Sequence, residues 1–186
     1  MSDAIEKTAV KYVAFLRGIN VGGHHKVPMI ELRKELEKMN FQNVVTLLNS
    51  GNIIFDAPEG DLAKLELSIS IHLQKVFGFP IPTILRTADM IYELYSNNPF
   101  KDVTLTKDIR RYVSFLWKDI EIDLELPWTS DDTSYKIINK NDKTIISVLD
   151  LSVSKTPKAM EAMEKYFGKD ITTRNWNTIE RIGKKL

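Results

Sequence analysis

An α+β fold built on antiparallel sheets is predicted by three features of this 186-residue sequence. Short β-type runs alternate with segments of helical period, polar turns join some of those runs directly as hairpins, and the order of elements recurs in the second half. A chain of this length buries a core without disulfides or metals.

Residues 12–17 form an apolar, aromatic run that ends in a Gly-rich loop over 18–25, the pattern of a strand and its exit. Pro28 stands where helices accept proline, in the first turn. Met29, Leu32, Leu36 and Met39 follow at three- and four-residue spacing, so a helix is expected over 28–40. Residues 43–49 and 52–57 are β-type runs around Ser50-Gly51 and read as a hairpin. Asp61 is placed to cap the next helix, whose apolar stripe runs Leu62, Leu65, Ile69, Leu73 and Val76 until Gly78 stops it. Residues 82–87 give a fourth strand. The order β-α-β-β-α-β over 11–87 is the ferredoxin-like (α/β plait) pattern, with two helices on one face of a four-stranded antiparallel sheet.

The second half follows the same order. A linking helix is expected over 87–97, stopped at Asn98-Pro99, then a strand over 111–117. Residues 135–139 and 144–151 flank Asn141-Asp142 as a second hairpin. A helix over 157–167 ends at Gly168, a short strand spans 171–174, and a C-terminal helix spans 175–185. Residues 119–132 stand where the repeat requires a helix, and no helical pattern is legible there. The halves therefore match in order, without residue-level identity being read between them, and two ferredoxin-like domains are expected: 1–87, and 88–186 with the linking and C-terminal helices. Alternation in 111–117 puts Tyr112, Ser114 and Leu116 on one face and Val113, Phe115 and Trp117 on the other. Phe115 then reads as core rather than as a platform for stacked bases.

Composition excludes several classes. Lys and Arg total 26 against 25 Asp and Glu, so no global field drives the chain onto DNA or an anionic membrane, and only a local basic patch would do so. With no cysteine, disulfides, thiolate nucleophiles and Cys-based zinc sites are excluded, and a reducing compartment fits. No stretch approaches the roughly 18–20 apolar residues that span a bilayer. Residues 1–11 carry Asp3 and Glu6 and lack the apolar core and cleavage site of a secretory signal. A cytoplasmic location and no membrane partner are the expectation. His24, His25 and His72 are the only histidines; the adjacent pair does not suit one metal ion and His72 falls on a helix, so no metal site is expected. Asp131, Asp132 and Asp150 have no partner with which to form a paired-carboxylate centre.

Three polar clusters could carry chemistry. The first runs from Arg17 through Gly18, Asn20, Gly22 and Gly23 to Lys26, with glycines, cations and no acid, just before a helix. Backbone N–H groups, a helix N-terminus and nearby cations suit an anion, while the same glycines would also serve plain tight turns. It is not a P-loop, because His24 follows Gly23 and no Ser or Thr is placed for magnesium. The second is Asn49-Ser50-Gly51-Asn52, whose polar tips serve equally to satisfy a turn. In the expected sheet the first and third strands are antiparallel neighbours, which brings Arg17 to the same edge as Ser50 and Asn52. The third is Thr172-Thr173-Arg174-Asn175-Trp176-Asn177-Thr178, at a strand-to-helix junction. Asn175 could cap the helix and Trp176 pack beneath it, leaving Thr173, Arg174 and Asn177 suited to a phosphate or carboxylate.

In wording and order these clusters, together with Phe15-Leu16 ahead of the first and Val27-Pro28-Met29 after it, resemble the bacterial family called domain of unknown function 1697. The resemblance spans residues 11 to about 182. It implies two ferredoxin-like domains and brings no activity, substrate or cofactor. Three functions are then open: binding of a phosphate-bearing ligand (a nucleotide, a metabolite or a nucleic-acid backbone) where the clusters meet, an enzyme acting on such a ligand, or an interaction module in which the clusters organise a domain interface. Catalytic residues, cofactor and oligomeric state are not legible.

Overall fold

Residues 8–121 and 124–186 are described by a computed structural model. The expectation for the N-terminus around Asp3 and Glu6 lies outside them. Contacts divide the chain into two units, with the break between Tyr92 and Glu93.

The first unit opens with β1 (Ala9–Leu16), α1 (Met29–Lys38), β2 (Gln42–Leu47) and β3 (Asn52–Pro58), followed by α2 (Leu62–Phe77) and β4 (Thr83–Thr87). Its four strands are antiparallel, in the order β2-β3-β1-β4. Tyr12, Ala14 and Leu16 of β1 pack with Ile53, Phe55 and Leu85 against Leu32 and Leu36 of α1 and Ile69 and Leu73 of α2. Both helices therefore lie on one face, as their apolar stripes demand. Val76, the last residue of the expected α2 stripe, is exposed instead, and Phe77, four residues after Leu73, packs against the core in its place. The Asp61 side chain accepts from Ala63 N and Lys64 N, satisfying two of the orphan donors of the first turn. Gly78 closes α2 in the left-handed region at φ 80°. α3 (Ala88–Asn97) comes directly after β4.

The second unit has a five-stranded antiparallel sheet, in the order β6-β7-β8-β5-β9. Its strands are β5 (Ile109–Leu116), β6 (Trp128–Thr129), β7 (Tyr135–Asn141), β8 (Thr144–Asp150) and β9 (Ile171–Asn175). α4 (Thr156–Phe167) lies between β8 and β9, and α5 (Trp176–Gly183) comes after β9. Tyr112, Leu116, Ile137, Ile145 and Leu149 pack with Met163 and Phe167 of α4. Val113 and Phe115, on the alternate face of β5, are buried too. No helix forms among the described residues between β5 and β7. Ile120, Leu124, Leu126 and Trp128 pack instead against the core, so the helix required by a strict repeat is replaced, among the described residues, by a strap without regular structure and the short strand β6. Residues 122–123 of this segment lie outside the described residues.

The central strands of the two units match in residues and register, which corrects the reading that the likeness of the halves is one of order alone. Tyr12-Val13-Ala14-Phe15-Leu16 and Tyr112-Val113-Ser114-Phe115-Leu116 agree at four of five positions. Val13 faces Ile54 and Arg86 across its two neighbouring strands, and Val113 faces Ile146 and Arg174. Beyond the strand ends, Leu16 N donates to Gly51 O at 2.8 Å and Arg17 N to Pro82 O at 2.9 Å; Leu116 N donates to Lys143 O at 2.8 Å and Trp117 N to Asp170 O at 3.1 Å. The irregularity in β2, between the pairs Gln42–Asp56 and Val45–Ile54, recurs in β7 between Ile137–Ser147 and Asn139–Ile146.

Candidate functional site

The loop after β1 is coiled by residues in the left-handed region. Gly18 (φ 73°), Asn20 (56°), Gly22 (59°), Gly23 (80°) and His25 (51°) all adopt it, a conformation glycine and asparagine tolerate best. The coil closes on itself, with Asn20 N donating to His25 O at 3.0 Å and His24 N to Val21 O at 3.1 Å.

Asn20 is the clip of this loop. Its Oδ1 accepts from Val27 N at 2.8 Å, and its Nδ2 donates to Val27 O at 3.0 Å and to Asn49 O at 2.8 Å. One primary amide thus takes both backbone groups of Val27 and ties the loop to the β2–β3 turn, which uses the donor and acceptor capacity of asparagine closely. Asn20→Ala removes all three bonds and is expected to lower stability by about 2 kcal/mol. Chemical denaturation checks this, and an unchanged midpoint with an unchanged slope would contradict it.

The turn is built the same way. Asn52 is fully buried, and its Nδ2 donates to Leu47 O at 2.9 Å and Ser50 Oγ at 3.0 Å. Phe15 pairs with Asn52 across the sheet, so Arg17 and the Ser50–Asn52 turn do share one edge. Ser50 and Asn49 are exposed and Arg17 is half-buried. Between loop and turn lies an open cleft of about 390 Å³, lined by Asn20, Gly23, Lys26, Val27, Pro28, Met29 and Asn49. α1 begins in its wall. Pro28 occupies the N-cap position and no side chain caps the helix, so first-turn N–H groups are left for other acceptors. Val27, Pro28 and Met29 are not among the site residues that the polar clusters point to; the helix start at Pro28 is the signal in the sequence that finds them. Glu31 sits in the first turn of α1 and works against an anion there.

The histidines have local tasks. The His25 ring stacks on Phe79 with centroids 4.4 Å apart and its Nδ1 lies 3.2 Å from Gly18 O. His72 Nε2 lies 3.1 Å from Glu35 Oε2. Hydrogen bonds from Lys38 and His72 hold the Glu35 carboxyl below the ordinary glutamate value. Among the described residues no group of His, Asp or Glu could hold a metal ion.

The third segment belongs to the second unit. Arg174 is buried, and its Nη1 donates to Thr172 Oγ1 at 2.8 Å and Thr173 O at 2.9 Å. Burial pushes its guanidinium down to about 10, since the charged form is poorly solvated there. Thr173 Oγ1 and Ser114 Oγ share a 2.7 Å hydrogen bond. Asn175 occupies the N-cap position of α5 without a side-chain cap bond, which corrects the expected capping role. Trp176 is buried beneath the helix as expected, edge-on to Phe100 at 5.2 Å. Asn177 is exposed.

Fold and loops together define an α+β protein of two antiparallel sheets whose clustered Asn, Gly and Arg residues build strand-end turns. This chain belongs to the family described as protein of unknown function (DUF1697), which matches residues 10–135, more than half of its length. Among solved structures it is similar to the conserved bacterial protein SP0830 from Streptococcus pneumoniae. The two are 24% identical with a TM-score of 0.62, and the match covers 95% of this chain and 98% of that one. No curated protein matches it. No helix among the described residues is long and apolar enough to cross a membrane.

Proposed function

We propose that the protein binds a phosphate-bearing ligand, a nucleotide, a metabolite or a nucleic-acid backbone, in the cleft between the loop of residues 18–26 and the turn of residues 49–52. The observation that carries this reading is the convergence of Lys26, the exposed Asn49 and the uncapped start of α1 on one cleft. A point charge and free backbone N–H groups are the donors an oxyanion takes. No acid occurs between residues 8 and 30, so the loop itself offers no competing negative charge. Arg17, on the same sheet edge as the Ser50–Asn52 turn, completes the site in this reading, and Thr173, Arg174, Asn175 and Asn177 of the second unit are read as a separate set of candidate ligand residues. We further read the chain as two ferredoxin-like domains, 1–87 and 88–186. The strand order of the first unit, with a helix in each of its two crossovers, supports this. A cysteine-free chain also suits the cytoplasm.

Calorimetry and thermal shift against AMP, ATP, a sugar phosphate and a short oligonucleotide test the binding. At least one is expected to bind, with Lys26→Ala weakening it about tenfold, which is about 1.4 kcal/mol. A panel that gives no heat and no shift at millimolar ligand removes the reading.

A second reading is favoured by the bonds of Asn20 and Asn52, which are spent on backbone carbonyls of their own unit. In it the clusters serve folding and interaction surfaces alone. Asn20→Ala would then lower stability while no ligand of the panel binds the intact chain.

A further inference from the structure

The second unit has one strand more than the first. β6 pairs antiparallel with β7 through Trp128–Ile137 and Thr129–Lys136, so the outer edge of β7 is covered. The shared register makes β2 the counterpart of β7, including the irregularity beside which β6 attaches. β2 nevertheless ends its sheet.

Exposed edges present a row of unpaired N–H and C=O groups, and proteins ordinarily guard them with charges, proline or bulges. Gln42 through Leu47 contain no charged residue and no proline. The bulge is the remaining guard, and β7 shows that the same bulge accepts a neighbouring strand. Val45 is 41% exposed and Leu48, just past the strand end, 42%, so apolar surface lies open on and beside this edge.

We propose that β2 is an interface strand on which a second copy of this chain docks, β2 against β2 and antiparallel about a two-fold axis. Two four-stranded sheets then become one continuous sheet. An isologous contact pairs each residue with its two-fold mate, and this uncharged edge meets no like charge when it pairs with itself. The contact is short, so the dimer is weak, with a dissociation constant of about 10–100 µM.

Sedimentation velocity over a concentration series tests this on the full chain. The wild type is expected to double in mass as it passes about 100 µM, and Val45→Lys, exposed in the monomer and so tolerated, to stay single. The chain has no cysteine, so Val45→Cys introduces a lone thiol beside the axis. Under mild oxidation it is expected to join copies much faster than Leu67→Cys, placed on the half-exposed face of α2. A dimer indifferent to Val45→Lys, or equal joining by the two thiols, overturns the proposal. A wild-type monomer throughout also overturns it, leaving the edge to a strand of another protein or to none.

Discussion

Gly51→Ala is expected to destabilise the first unit by about 3 kcal/mol, adding the left-handed penalty for a Cβ to the cost of overpacking. Gly51 sits at φ 73°, and a Cβ built on it would lie 2.7 Å from Ile19 Cδ1 and 2.8 Å from Leu16 Cβ. The Ile19 end could swing aside, but Leu16 Cβ is fixed to the strand. The backbone has no freedom to retreat, because Gly51 O accepts from Leu16 N and the neighbouring Asn52 side chain is bonded on both sides. The melting temperature should fall by roughly 10 °C. Gly22→Ala is the control: its φ of 59° is also left-handed, yet nothing lies within 4 Å of the added carbon, so only about 1 kcal/mol is expected. Equal losses in the two variants would show that backbone strain alone decides, and the close approach at Gly51 would have no energetic weight.

Gly183→Ala should cost about 2 kcal/mol despite alanine's better helix propensity. Its Cβ would collide with Tyr95 Cγ and fall 2.6 Å from Cδ1 and 2.8 Å from Cβ. The clash is with the root of the tyrosine, so a rotamer change does not relieve it. Glycine here lets α5 approach α3 at a distance no other residue permits. Tyr95→Ala removes the two ring atoms of the obstruction and leaves only the Cβ contact. The double variant should therefore be more stable than the sum of the single losses predicts, by about 1 kcal/mol or more in a double-mutant cycle. Additive losses would mean that the helices simply move apart.

Much of the architecture was legible because local chemistry and periodicity agreed. Asp61 caps and Gly78 stops as their residue types require, and the adjacency of β1 and β3 places Arg17 beside the Ser50 turn on topology alone. Three things were not legible, each for a physical reason. A polar side chain in a turn signals hydrogen bonding without naming its partner, so Asn20 and Asn52 read as ligand donors although their amides hold Val27, Asn49 and Leu47. Asn175 has the residue type and place of a cap without the bond. Between β5 and β7, Leu124, Leu126 and Trp128 alternate with Glu125 and Pro127, a pattern with no helical period, and these side chains pack against the core from outside any helix. The match of Tyr12–Leu16 with Tyr112–Leu116 was visible in the letters; it escapes notice when halves are compared by element order, since the connections between matched strands differ in length.

The shared register of β1 and β5 has a consequence when the whole chain refolds. Tyr12–Leu16 and Tyr112–Leu116 then offer β3 and β8 two similar places to lie, the situation in which tandem relatives trap one another by exchanging strands. Discrimination then falls to the parts that diverge, among them the connection that leaves each matched strand: a Gly-rich loop and α1 in one half, and in the other a segment without a helix among its described residues.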